Sequence, residues 1–396
     1  MRVVSCDGLG AHPLQLLRAQ LRSFRRPPEW GHAGGKDVIY TYQGRNAIAL
    51  LCRFVGLRPG DEVLAPAYNC GAEIDPFIKA GARVVLYDVG RDLSIDIDGI
   101  ARSITPSTRV VHVTHFFGVA RCIDPLAAVC KRRGVLLVED CAQALFSGGP
   151  GGRIGRTGDA AIYSFVKTLP APDGGALVVD RALSKGGDRL VSPPLRATFR
   201  GCLPLVKKWL VNSTRLSPAV RGSRAAFRKN SRRVAAGDAD WPHPPMLASN
   251  CFVEKQAHWT MSQVSRGILQ SASVANIVET RRQNFNYLLH AVSGIPGVSP
   301  VIAALPEGAC PMAFPFIVED RSHWCSQLET RGILVQGWPG YYPGFDWDAY
   351  PQACYLKDRL LTLPVHQGLN LAHMEYIAEC VREVARQGQA GQRCSS

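Results

Sequence analysis

The chain has 396 residues, 46% hydrophobic and 20% charged, with 38 Gly and 27 Pro. That length asks for two or three domains around a large buried core, and the composition is unlike that of disordered or fibrous chains. No stretch reaches the eighteen or so apolar residues that a membrane span needs, the N-terminus lacks the apolar block of a signal peptide, and thirteen Cys are scattered without paired spacing. These features predict a cytoplasmic protein with reduced thiols, without disulfides or a zinc site. The net charge of +14 is concentrated, because residues 181–233 hold fourteen Lys and Arg against one acid, Asp188, on an otherwise nearly neutral chain.

In chain order, residues 1–30 read as an N-terminal basic arm. Its Leu14, Leu17, Leu21 and Phe24 alternate with Arg18, Arg22, Arg25 and Arg26, and the pattern predicts a short helix packed on the body. From residue 61, short apolar, β-branched runs at 62–66, 83–88, 109–115, 135–140, 160–165 and 176–180 alternate with helix-like stretches, which predicts an α/β fold with a mostly parallel sheet. One helix is well marked, with Asp124 as its cap, Pro125 in its first turn, Lys131, Arg132 and Arg133 at its end and Gly134 beyond. After the basic insertion at 181–233, a Pro-rich stretch near 241–245 leads to a long helix over 274–292. Strands at 312–318 and 333–338 and a closing helix over 372–386 follow. The division expected is a large domain over 31–245 and a long helix with a smaller C-terminal α+β domain over 246–396.

In an open parallel sheet, ligands gather at the carboxyl ends of the strands. Asp140 closes such a run, though an acid there also suits a helix cap. Lys167 follows the strand ending near Phe165, in a turn closed by Pro170, Pro172, Gly174 and Gly175. That is a constrained turn, not a solvated helix face.

The strings GDEVLAPAYNCGAEIDPFIKAGARVVLYD (60–88), VLLVEDCAQAL (135–145), GRIGRTGDAAIYSFVKTLPAPDGGALV (152–178) and LLTLPVH (360–366) resemble the DegT/StrS family of pyridoxal 5'-phosphate (PLP)-dependent sugar aminotransferases. The match runs from about Gly44 to Val179. It implies fold type I of the PLP-dependent transferases, a large domain with a central sheet flanked by helices and a smaller C-terminal domain. By position, Lys167 would carry the cofactor as a Schiff base and shuttle the proton, and Asp140 would pair with the pyridine nitrogen. Gln143 would lie beside the ring and Ser164 would bind the phosphate. Asn46 and Ala47 would offer it backbone N–H groups at the start of a helix.

The chain departs from the family in three places. The phosphate loop reads GRNAIAL (44–50) where relatives carry a small hydroxyl residue, which makes Arg45 or Asn46 a candidate for direct phosphate contact. The interval from Ser164 to Lys167 is short. Strict alignment puts Cys70 where the family stacks an aromatic residue on the ring, leaving Tyr68 or His115 as substitutes. His112 and His115 lie three apart on a strand, which sends them to opposite faces and makes no metal site.

The resemblance implies an aminotransferase with an amino acid donor, glutamate, and a nucleotide keto-sugar acceptor, assembled as a homodimer. In the family the segment corresponding to 181–233 crosses to the partner subunit, where its cations could hold a diphosphate. Two other readings of the segment stand beside this one. It is a solvated arm, or a peripheral membrane contact in which Trp209 and Leu210 beside Lys207 and Lys208 rest on anionic lipid. Nucleic acid rests on charge alone, with no aromatic-basic motif. Trp338, Tyr341, Tyr342 and His366 are candidate substrate contacts. The alternatives to an aminotransferase are a fold-related PLP lyase, decarboxylase or dehydratase, of which the family's sugar dehydratase branch is disfavoured because it carries histidine where this chain has Lys167, and a non-catalytic binding protein.

Overall fold

The computed structural model describes residues 4–5, 9–22, 36–149, 152–184, 189–213, 251–337 and 340–393. Seven strands form the main sheet: β1 (Lys36–Thr41), β2 (Glu62–Pro66), β3 (Arg83–Tyr87), β4 (Thr108–Thr114), β5 (Leu136–Asp140), β6 (Ala160–Ser164) and β7 (Gly175–Asp180). Their spatial order is β1-β7-β6-β5-β4-β2-β3, and β7 alone runs antiparallel to its two neighbours. The sheet is therefore mostly parallel, as the apolar runs require. Strands covered on both faces can be apolar at every position, and Val63, Leu64, Ala65, Val110 and Val111 are all fully buried.

Helices cover both faces. α2 (Gly44–Val55) lays Ile48, Leu51 and Cys52 on the sheet beside Val110 and Leu177. α3 (Asp75–Lys79), α4 (Ile97–Ser103) and α5 (Asp124–Arg133) fill the crossovers. α5 ends on Gly134 in the left-handed conformation, as expected, but Ile123 is its cap and Asp124 lies in the first turn, where its charge still meets the positive end of the helix.

α6 (Leu195–Ser213) is the helix in the described part of the basic insertion. The insertion from residue 214 and the Pro-rich stretch at 241–245 lie outside the described residues. α7 (Gln263–Ser271) packs against α1 (Pro13–Arg22), where Gly267 permits a close approach: a β-carbon there would fall 1.8 Å from the Ala19 carbonyl oxygen. Leu16 and Ala19 of α1 are buried, but Leu14, Leu17 and Leu21 are exposed, so only one side of that helix packs on the body. Phe24, Arg25 and Arg26 lie outside the described residues.

α8 (Val274–Val292) leads into a second sheet of short strands, β8 (Ser299–Pro300), β9 (Phe314–Ile317), β10 (Gln336–Gly337) and β11 (Leu360–Leu363), in the order β8-β9-β11-β10. The strand expected over 333–338 is split, because Ile333 and Leu334 pair instead with Val4 and Ser5. α9 (Arg321–Thr330), α10 (Pro351–Arg359) and α11 (Leu371–Arg393) complete the chain. A continuous apolar cluster runs from Leu64 and Val111 of the main sheet through Phe285 of α8 to Phe314 and Leu361 of the second sheet.

Candidate active site

The carboxyl ends of β1, β2, β4, β5 and β6 converge on one edge of the main sheet, and the chemistry-bearing residues gather there. At the end of β5, successive side chains point to opposite faces. Glu139 takes one face, where its Oε2 meets His115 Nε2 at 3.0 Å and its oxygens accept the N–H groups of Gly155 and Gly158. The remaining His115 nitrogen accepts from the Arg121 N–H. Burial pushes the Glu139 carboxyl up, but His115 and the two glycine N–H groups outweigh it and hold it below its ordinary value. His115 is thus a closed structural pair with Glu139, on the face away from Asp140.

Asp140 takes the other face. Its Oδ1 accepts from the Ala142 N–H at 2.7 Å and its Oδ2 lies 3.5 Å from His112 Nε2. Burial raises this carboxyl, yet His112, the charge of Lys167 and the Ala142 N–H together bring it below 3.8. Asp140 is therefore held as a carboxylate, able to accept a hydrogen bond or pair with a cation. His112 is fully buried, edge-on to Phe77, and Glu73 completes the cluster, its acceptor atoms lying with those of His112 and Asp140 within 4.8 Å. Glu73 goes the opposite way from Asp140, raised by burial and by the Asp140 charge.

This pair predicts a pH effect. Replacing His112 by leucine removes the largest influence that lowers Asp140, so the folded-state pKa of Asp140 rises. Any activity that needs the Asp140 carboxylate is lost as pH falls through that value, so the acid limb of the kcat/KM profile moves to higher pH in His112→Leu. An unmoved acid limb would show that His112 does not act on Asp140.

Lys167 sits half-buried in the turn after β6, where the Phe165 carbonyl accepts the N–H groups of Thr168 and Leu169. The loop is pinned at three further points. The Gly174 N–H donates to the Tyr42 carbonyl at 2.6 Å, and Asp173 accepts from the Ser262 N–H at 2.8 Å. The Thr168 carbonyl takes Gln367 Nε2 at 2.9 Å and Arg281 at 3.3 Å. Arg281, fully buried on α8, also donates to the Pro311 and Met312 carbonyls. A buried carbonyl left bare costs about 1–3 kcal/mol. Arg281→Met should therefore lower unfolding free energy by at least about 2 kcal/mol in urea titration, and should speed amide exchange in the loop around Thr168.

The start of α2 faces the end of β6. A β-carbon on Gly44 would lie 3.6 Å from that of Ser164, and Gly175 lets β7 pass so close that a β-carbon there would fall 2.5 Å from the Gly44 nitrogen. The N–H groups of Asn46 and Ala47 both donate to the Gln43 carbonyl, at 3.0 and 3.2 Å, because the first turn of α2 closes on its own cap. The N–H groups of Gly44 and Arg45 precede them at the start of the helix. The Asn46 side chain turns instead to the Gln256 carbonyl, leaving its Oδ1 buried without a partner. Arg45 is half-buried and lies within electrostatic range of Cys70 and Asp75.

Gln143 accepts the Phe117 N–H on Oε1, and its Nε2 is a buried donor with no partner. Tyr68 is fully buried in the main core against Phe116, with ring centroids 5.4 Å apart. Cys70 is the residue of this loop that reaches the site, feeling Glu73, Lys167 and Asp140. The loop is held from the second sheet's side, where the buried Lys357 donates to the Asn69 carbonyl at 2.8 Å and lies near the Trp347 and Tyr341 rings. Burial brings the Lys357 pKa down to about 8. Tyr342 reaches the rim by donating to Asp75, whereas Tyr341 is a core residue bonded to Asp358. The His366 ring accepts from the Gly368 N–H, and Trp338 lies outside the described residues.

Glu73, Arg281 and Lys357 are functional neighbours that sequence reasoning missed. Glu73 stands in a string that reads as a helix start, and a lone Arg or Lys on a helix carries no signal of burial. His112 was legible only as facing away from His115.

The polar cluster stands at the carboxyl edge of a mostly parallel sheet, with Lys167 on a pinned loop near Asp140. Residues 31–185 match the model of the DegT/DnrJ/EryC1/StrS aminotransferase family. The chain is 35% identical over 153 residues to the dTDP-4-dehydro-2,3,6-trideoxy-D-glucose 4-aminotransferase of Saccharopolyspora spinosa, 37% of this chain and 40% of that one. It is 28% identical over 177 residues to the GDP-perosamine synthase of Vibrio cholerae, 44% and 47% of the two chains. The chain thus aligns with less than half the length of these relatives. The fold matches a Streptococcus pneumoniae protein described as a sugar aminotransferase and solved in its PLP form, with a TM-score of 0.68, 18% identity, and coverage of 98% of this chain and 99% of the other.

Proposed function

We propose that the chain is a PLP-dependent aminotransferase that moves an amino group from an amino acid, glutamate, to the keto group of a nucleotide-linked sugar. The observation that carries the reading is the position of Lys167 on a pinned loop, close enough to Asp140 to lower its pKa. The residues fit the cofactor. Asp140 supplies a buried carboxylate for the ring nitrogen, Gln143 a buried donor without a partner, and Gly44, Arg45 and Ser164 a cradle at a helix start for the phosphate.

When bound, the cofactor supplies an electrophilic carbonyl and a ring that accepts electrons. Lys167 would hold it, and its amine would carry a proton to and from the substrate carbon. Asp140 would pair with the ring nitrogen, and His112 helps to keep the Asp140 carboxyl ionised. Cys70 would present a thiol where the family places an aromatic residue.

The reading extends to a homodimer in the cytoplasm, supported by the family and by the scattered thiols. Purified protein with PLP and glutamate should release 2-oxoglutarate with at least one member of a panel of nucleotide keto-sugars. Failure with every acceptor would count against the assignment.

A further inference from the structure

Two carboxyls share one buried cluster, and they are served unequally. Glu73 lies in the loop before α3 and Asp140 ends β5; with His112 of β4, their acceptor atoms stand within 4.8 Å of one another. All three side chains are buried. Two carboxylates that close, away from water, repel so strongly that one of them keeps its proton.

The donors decide which. Asp140 accepts the Ala142 N–H at 2.7 Å and has His112 and the charge of Lys167 beside it. Glu73 accepts only a neutral hydroxyl, that of Thr114, on Oε2 at 3.2 Å. Its Oε1 is buried without a partner. A bare buried carboxylate oxygen is costly, and a proton on that oxygen removes the cost.

We infer that Glu73 is a further positioning residue of the site, a carboxylic acid that keeps its proton at neutral pH and so confines the cluster's negative charge to Asp140. The surrounding groups are consistent with this. Lys167 and His112 favour an ionised Glu73, but burial and the Asp140 charge outweigh them and raise the carboxyl above its ordinary 4.5. Lys357 of α10, which also feels Glu73, directs its amine to the Asn69 carbonyl at 2.8 Å. Cys70 in the same loop, Tyr68 and Tyr87 stay neutral, because burial raises each of them. An ionised Glu73 would give a cationic ring nitrogen a second acid to turn to, whereas a neutral one leaves it Asp140 alone. That consequence rests on the aminotransfer reading; the protonation of Glu73 does not.

Infrared difference spectra between the unaltered chain and Glu73→Gln test the protonation. At neutral pH the unaltered chain should show the C=O stretch of one protonated carboxyl that the variant lacks, fading as pH rises. In Asp140→Asn the band should fade at lower pH, because the charge that raises Glu73 is gone. Stability gives an independent check. The folded-state pKa of Glu73 lies above its unfolded value, so its contribution is complete below 4.5 and is lost as pH rises toward the folded value. Glu73→Gln should therefore melt with the unaltered chain at about pH 5 and above it by a margin that grows toward about pH 9. In the loaded enzyme, Glu73→Gln cannot ionise, and the basic limb of its kcat/KM profile should move to higher pH. Absence of the band at neutral pH, or a basic limb that stays in place, overturns the inference. An unaltered chain that turns over no keto-sugar would instead sink the aminotransfer reading, and the band would still decide the state of Glu73.

Discussion

On the proposed reading, replacing Lys167 by alanine should lower the rate of aminotransfer by at least about 10³-fold, because one amine would both anchor the cofactor and carry the proton that the reaction moves. The variant should fold normally. Lys167 is half-buried, and the turn is held by backbone and side-chain bonds that do not involve its amine: Thr168 and Leu169 to Phe165, Thr168 to Gln367 and Arg281, Asp173 to Ser262. An unchanged urea midpoint with lost turnover and lost visible cofactor absorbance is the expected pattern. Turnover within tenfold of the unaltered protein would remove Lys167 from the chemistry.

Asp140→Asn is the second large effect, expected at about 10²–10³ in kcat, the usual cost of removing one preorganised charge from a site. The amide is nearly isosteric and its oxygen still accepts the Ala142 N–H, so the end of β5 keeps its shape. What disappears is the negative charge that His112 and Lys167 stabilise. The variant should also lose its cofactor faster on dialysis. A full-rate Asp140→Asn enzyme would mean that the ring nitrogen is served by another group, and Glu73 is the nearest such acid in the cluster.

The strands that build the site were legible because a buried parallel strand is a short unbroken apolar run. The expected 62–66 and 160–165 lie within a residue of Glu62–Pro66 and Ala160–Ser164, and 135–140 of Leu136–Asp140. Lys36–Thr41 was missed because it is an edge strand, only partly buried and mixed in character. The long helix Val274–Val292 was legible from its periodicity, while the second sheet was blurred because its strands are only two to four residues long.

At the site, residue types at strand ends pointed to Asp140 and Lys167, and the resemblance joined them. The partner of each was not legible. Whether His115 serves Glu139 or a ring depends on which face of β5 it meets, and whether Asn46 offers its N–H depends on how the first turn of α2 closes. Both are settled by tertiary register. The same holds for the two cations that fix the site from the second sheet's side, Arg281 on the Thr168 carbonyl and Lys357 on the Asn69 carbonyl.

The central claim is that one lysine, on the loop pinned by Arg281, holds pyridoxal phosphate. Incubating the purified chain with pyridoxal phosphate, reducing with borohydride and mapping the modified peptide by mass spectrometry tests it directly. The account predicts a stoichiometric pyridoxyl adduct on Lys167, lost in Lys167→Ala. An adduct concentrated on any other lysine, or none at saturating cofactor, would contradict it.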